Sequence, residues 1–139
     1  MKNCYFIDLH NQDKNKKIFA LVEQIYRDQK KAIIYTSSIE RAEEIDRILW
    51  ILKQESFIPH KIFKYEESDA LEPIGIVTQE INPINAQIII LDSPCKIEFA
   101  KKFSTIYDFV DKSSEEALKI SRERYIKFKE LKYNMFYQK

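Results

Sequence analysis

An α/β fold built on a mainly parallel sheet is predicted by three features of this sequence. Apolar runs of strand length alternate with stretches of helical period, the connections between them are short, and the opening run is nearly continuous instead of alternating, as in strands covered on both faces. A chain of 139 residues that is 45% hydrophobic is long enough for one compact domain with a sizeable core, and residues 1–139 are read as that single domain.

The first strand is expected from Cys4 to Leu9, followed by a polar loop from His10 to Lys16. Ile18, Leu21, Val22, Ile25 and Tyr26 then mark a helix running to about Gln29. Ala32 to Tyr35 is a second strand. Ser37 with Glu40 has capping-box spacing for the next helix, whose buried stripe is Ala42, Ile45, Ile48, Leu49 and Leu52. An acidic connection from Glu66 to Glu72 precedes two core strands, Ile74 to Val77 and Ala86 to Leu91, separated by Pro83. A short helix over Ile97 to Lys102 leads to the last expected strand, Thr105 to Val110. Ser113 with Glu116 opens the final helix, Ser114 to about Leu131, with Ala117, Ile120, Ser121, Arg124, Phe128 and Leu131 on its inner face.

The stretch Asp46 to His60 carries apolar residues that its own periodicity does not bury. Trp50 falls away from the middle of the helical stripe and belongs at its rim or outside. Phe57, Ile58 and Pro59 follow, and Pro59 makes this segment a connection, because it lacks a backbone donor and pushes Ile58 towards an extended conformation. Two readings stay open: an exposed patch that meets a partner, or Phe57 and Ile58 plugging the end of the core with Trp50 flat along the surface.

Charged residues make up 32% of the chain, yet the formal net charge is +1, so no global field draws it to nucleic acid or anionic lipid. No apolar run is long enough to span a bilayer and the amino terminus does not read as a signal peptide, so a cytosolic location is expected. Cys4 and Cys95 lack the spacing of a disulfide framework or zinc site and are read as buried free thiols. Phosphate loops need glycine where backbone approaches phosphate, and the single glycine, Gly75, does not follow the first strand. His10 and His60 have no second ligand at metal spacing, and neither cofactor nor metal is expected. Asp8 and Asp92 end strands, where α/β enzymes place acids, but without a partnering base or elbow motif they read as caps or solvated groups.

The C-terminal segment is locally basic: from Lys119 it carries Arg122, Arg124, Lys127, Lys129, Lys132 and Lys139 against Glu123 and Glu130. On one edge of the last helix Leu118, Arg122, Tyr125 and Lys129 gather, an apolar notch beside cations that suits a short acidic peptide ending in a hydrophobic residue. Arg124 faces inward and is read as structural, its stem packed and its head paired.

Met1-Lys2-Asn3, the run Asp46 to Trp50 with Glu55-Ser56-Phe57-Ile58-Pro59-His60, and Tyr107-Asp108-Phe109-Val110 with Ser121-Arg122-Glu123-Arg124-Tyr125 occur together in an order and spacing that resembles the chi subunit family of the bacterial DNA polymerase III clamp-loader assembly. The resemblance implies a three-layer αβα sandwich with a Rossmann-like sheet that lacks a nucleotide-binding loop. It implies no catalytic activity and two partner surfaces. The psi subunit, and a helicase at the same surface, would meet Trp50, Phe57, Ile58 and Pro59; the acidic tail of single-stranded DNA-binding protein would meet Arg122, Tyr125, Leu118 and Lys129. Bridging the two would tether the clamp loader to the coated lagging strand during DNA replication, with nucleic acid contacted only indirectly. Two positions depart from the family: Ile126 where a lysine is common, and Lys132 where a glycine is common, which leaves the path of Tyr133 to Tyr137 open. The competing readings are a small α/β enzyme using Asp8, Asp92 and His10, and direct nucleic-acid binding through the last helix, which predicts a steep salt dependence.

Overall fold

The computed structural model describes residues 1–10, 12–51, 57–66 and 70–138. Leu52, Glu55, Ser56, residues 67–69 of the acidic connection and Lys139 lie outside the described residues. The elements run in the order β1 (Asn3–Ile7), α1 (Lys14–Arg27), β2 (Ala32–Tyr35), α2 (Ile39–Ile51), β3 (His60–Phe63), β4 (Ile74–Val77), β5 (Ile88–Leu91), α3 (Ile97–Ala100), β6 (Thr105–Phe109), α4 (Glu115–Glu130) and β7 (Asn134–Gln138). The strands form one seven-stranded sheet in the order β3-β4-β2-β5-β6-β1-β7, and every pairing is parallel.

Period-two alternation divides the strand side chains between two cores. Ile7, Ile34, Ile76 and Ile90 join Ile18, Val22 and Ile25 of α1 and Ala42, Ile45 and Leu49 of α2. Phe6, Ile33, Ile89 and Ile106 join Phe99 and Ala100 of α3 and Phe128 of α4. The helices thus cover both faces of the sheet, two to a side, which is why the strands read as continuous apolar runs. Phe19 is buried and Tyr26 is exposed, so the inward stripe of α1 is shifted from the expected one. Ile120 is also exposed, because the inner face of α4 centres on Ser121 and Phe128. Cys4 is buried as expected, whereas Cys95 is only partly so.

The three longer helices, α1, α2 and α4, are capped one residue from where their spacing pointed, or inside an expected loop. Asp13 opens α1 by accepting the Asn15 N–H at 2.9 Å. At α2 the Ser38 hydroxyl, not that of Ser37, accepts the Arg41 N–H at 3.1 Å, and the Ser37 N–H turns to Ser93 Oγ. At α4 Ser114 accepts the Ala117 N–H at 3.0 Å, while the Ser113 N–H is held by Asp111 in a tight turn. In both serine pairs the first residue belongs to the incoming loop and the second supplies the acceptor for the free helix donors.

Two edge strands were not predicted. β3 begins directly after Pro59, and β7 occupies the open C-terminal path. Lys132 adopts the left-handed conformation (φ 73°) in place of glycine. Its N–H bonds to the Lys129 carbonyl and the Tyr133 N–H to that of Phe128, a Schellman end sealed by packing of the Phe128 and Tyr133 rings at 5.8 Å. The chain is thereby turned alongside β1, where Tyr5 stacks on Tyr107 of β6 and on Phe136 of β7, each at 4.9 Å. This aromatic row joins residues in direct register and pins the outer strands.

Gly75 has a packing role. A Cβ there would lie 3.1 Å from Ile33 and from Phe63, which close over it from the neighbouring strands. Gly75→Val is expected to lower stability by about 1–3 kcal/mol through overpacking, measured by urea unfolding; an unchanged midpoint would show that the two side chains yield freely.

Candidate functional site

The C-terminal ends of the strands, where α/β proteins usually hold ligands, open into a first concavity of about 430 Å³ whose lining cations are tied up in internal ion pairs. Asp92, after β5, accepts the Thr36 hydroxyl at 2.7 Å and pairs with Arg41 at 2.9 Å and Lys14 at 3.2 Å. Burial pushes its carboxyl up, but the Arg41 bonds, the Lys14 charge and the Thr36 bond outweigh this and hold it below its ordinary range. Arg41 also contacts Glu44 closely. Asp108, inside β6, is almost fully buried and takes two hydrogen bonds from Arg124, at 2.9 and 3.2 Å. The inward role expected of Arg124 is therefore observed. Asp8, after β1, is equally buried, so it is not a solvated group. It pairs with Lys112, accepts the Tyr137 hydroxyl and the His10 N–H, and lies 3.6 Å from the exposed His10 ring. Lys112 first, and then Tyr137, hold the Asp8 carboxyl well below the usual carboxylate range. His10 thus lies beside Asp8, while Asp92 has its own separate partners.

A second concavity, of about 580 Å³, opens between α4, β1 and β7. Phe6, Val110, Leu118 and Tyr125 give it an apolar wall; Lys112, Arg122, Ser121 and Tyr137 give it a polar one. Tyr125 is fixed by an edge-to-face contact with the buried Phe6 ring at 5.2 Å. Arg122 is exposed and makes no ion pair with any described residue. Three of the four residues singled out on the α4 edge, Leu118, Arg122 and Tyr125, therefore share one groove. Lys129 is exposed and does not line it. The groove residues that sequence reasoning missed come from β1, the β6–α4 connection and β7, with no local spacing to link them to α4.

The other predicted surface divides. Trp50 (49% exposed) and Phe57 (60% exposed) face each other with ring centroids 5.2 Å apart, beside the exposed Ile51. Trp50 also rests on His60 at 4.8 Å. His60 is itself buried, its ring nitrogens within hydrogen-bond reach of the Ile58 and Asp46 carbonyls. Pro59 is partly buried. Ile58 is 2% exposed and belongs to the core with α1 and α2, so it plugs the interior and does not extend the patch. Extended backbone before Pro59 alternates side chains in and out, which puts Phe57 outside and Ile58 inside.

A profile of the family described as DNA polymerase III chi subunit, HolC, matches residues 1–135. The chain belongs to this chi subunit family. Among curated relatives it is 29% identical to the DNA polymerase III subunit chi of Escherichia coli, over 97% of this chain and 96% of that protein. It is 33% identical to the chi subunit of Haemophilus influenzae over 76% of this chain and 72% of the relative. It is 30% identical to the "Probable DNA polymerase III subunit chi" of Rickettsia prowazekii, over 77% and 70%. The fold of this chi family member is thus an all-parallel α/β sheet whose strand-end cavity is lined by charged side chains that pair with one another. Among the described residues no helix is long and apolar enough to cross a membrane, and no cluster of three or more His, Cys, Asp or Glu could hold a metal.

Proposed function

We propose that this chain is a non-catalytic accessory subunit, one domain over residues 1–139, that bridges the psi subunit of DNA polymerase III to the acidic C-terminal tail of single-stranded DNA-binding protein. The observation that carries this reading is the groove in which the Arg122 guanidinium, without an ion-pair partner among the described residues, stands beside the apolar Leu118 and Tyr125. The tail's hydrophobic terminal side chain would enter between them, and the tail's carboxylates would meet the guanidinium. The absence of catalysis is supported by the paired state of Asp92 and Asp108. In the cavity of about 430 Å³ at the strand ends, the lining cations Lys14 and Arg124 are already engaged by Asp92 and Asp108, which leaves neither free for a phosphate.

The reading places the protein in the bacterial cytoplasm, at the replisome, contacting nucleic acid through the coating protein and tethering the clamp loader by effective concentration. It is tested by titrating the protein with a fluorescent copy of the tail from the same organism, beside a scrambled peptide of equal charge. Selective binding of the native order supports tail capture; equal binding of both peptides reduces it to charge attraction.

Trp50 and Phe57 form the proposed psi surface, which a helicase would share. Trp50→Ala with Phe57→Ala is expected to cost about 2 kcal/mol or more of psi affinity by calorimetry while leaving the melting temperature nearly unchanged. Ile58→Ala should do the reverse, lowering stability by about 2–5 kcal/mol. Psi binding that survives the double substitution would remove the surface from the reading.

A further inference from the structure

We propose that Lys112 is a second cation of the tail groove, held in place by Asp8 and available to a ligand carboxylate on its outward side. This rests on the tail-binding reading above. Among the groove's described lining residues, Arg122 and Lys112 are the only cations, one from α4 and one from the β6–α4 connection. The residue after Tyr125 is the exposed Ile126, so α4 itself brings a single cation to this wall. Lys112, Arg122 and Tyr137 line the same groove, and the Tyr137 hydroxyl donates to Asp8, the partner of Lys112, which sets Lys112 on the polar wall that Arg122 shares.

Lys112 is anchored without being consumed. Its side chain is 51% exposed, whereas that of its partner Asp8 is 3% exposed. An ammonium has three donors, and one is enough for Asp8. Because the half-exposed side chain lines the groove, the others are left to a ligand or to water. Asp8 is fixed in turn by the Tyr137 hydroxyl and the His10 N–H, so the lysine stem is already ordered before a ligand arrives and less rotamer entropy is lost on binding. Because Asp8 cancels part of the lysine's field, the contribution should be smaller than that of Arg122, whose charge no described residue neutralises.

The test is titration of the full chain with the fluorescent tail peptide, free and C-terminally amidated, at two salt concentrations. Lys112→Gln should weaken binding of the free peptide by roughly three- to tenfold and flatten its salt dependence, and Lys112→Arg should restore both. Loss confined to the free peptide assigns Lys112 to the terminal carboxylate; loss with both peptides assigns it to an acidic side chain. Wild-type affinity in Lys112→Gln, with binding lost in Arg122→Ala, would overturn the inference and leave tail capture standing. No binding by the wild-type chain would remove both.

Discussion

Arg124→Met is expected to destabilise the protein by about 3–5 kcal/mol, the cost of stripping one partner from a buried ion pair. Asp108 sits inside β6 with 2% of its side chain exposed, and Arg124 reaches it with 12% exposed. The guanidinium also donates to the Phe109 carbonyl at 3.3 Å. Burial pushes the Asp108 carboxyl up, and the Arg124 bonds and charge pull against that rise. Without Arg124 the carboxylate would be bare in the core, or would protonate. Its folded pKa then stands still further above the unfolded one, so the folded state binds the proton more tightly. The deficit relative to the wild-type chain should therefore be largest at neutral pH and shrink as the pH falls through the variant's raised folded pKa, levelling off where the wild-type Asp108, itself raised by burial, is protonated too. Urea unfolding at pH 7.5 and pH 5 measures this, and Asp108→Asn added to Arg124→Met should recover part of the loss at pH 7.5. A loss under about 1 kcal/mol that does not vary with pH would show that Asp108 does not depend on this arginine. Stability of a small domain is only about 5–15 kcal/mol in all, so the predicted effect is a large share of it.

Arg122→Ala, two residues earlier on the same helix, should leave stability within about 0.5 kcal/mol and instead reduce tail-peptide affinity by about 1.5–3 kcal/mol, roughly ten- to 150-fold. The contrast follows from geometry. Arg122 points away from the core and has no ion-pair partner among the described residues, so nothing buried is orphaned by its removal. The guanidinium plane can take a carboxylate with two parallel bonds, so Arg122→Lys should recover only part of the affinity. Fluorescence titration beside a thermal melt distinguishes the two roles. Unchanged affinity in Arg122→Ala would move the tail site elsewhere on the chain.

The pattern of α4 made both arginines legible. A 3.6-residue period is enough to separate Arg124, on the inner face with Ser121 and Phe128, from Arg122 on the groove edge with Leu118 and Tyr125. It did not resolve the rim of that face, and Ile120 came out exposed. Lys129 illustrates the limit in the other direction. Its spacing places it on the same edge as Tyr125, but a groove is a property of the elements facing the helix, and they do not extend that far.

The sequence by itself determined the α/β class, the parallel pairing and the covered faces of the sheet, because a buried strand and an amphipathic helix each write their burial into local order. It also placed Trp50 at the rim, through the same periodicity. Only the tertiary structure decided the edges. β3 and β7 carry mixed, half-exposed residues whose strand character comes from the neighbour they pair with, and Lys132 bears a left-handed turn that its type disfavours because the Tyr133 ring is buried beyond it, its hydroxyl donating to the Phe103 carbonyl. The groove follows the same rule: Phe6, the stretch from Lys112 to Leu118, and Tyr137 are far apart along the chain and meet only when β7 closes beside β1. Contacts of that kind depend on long-range pairing, which no local spacing encodes.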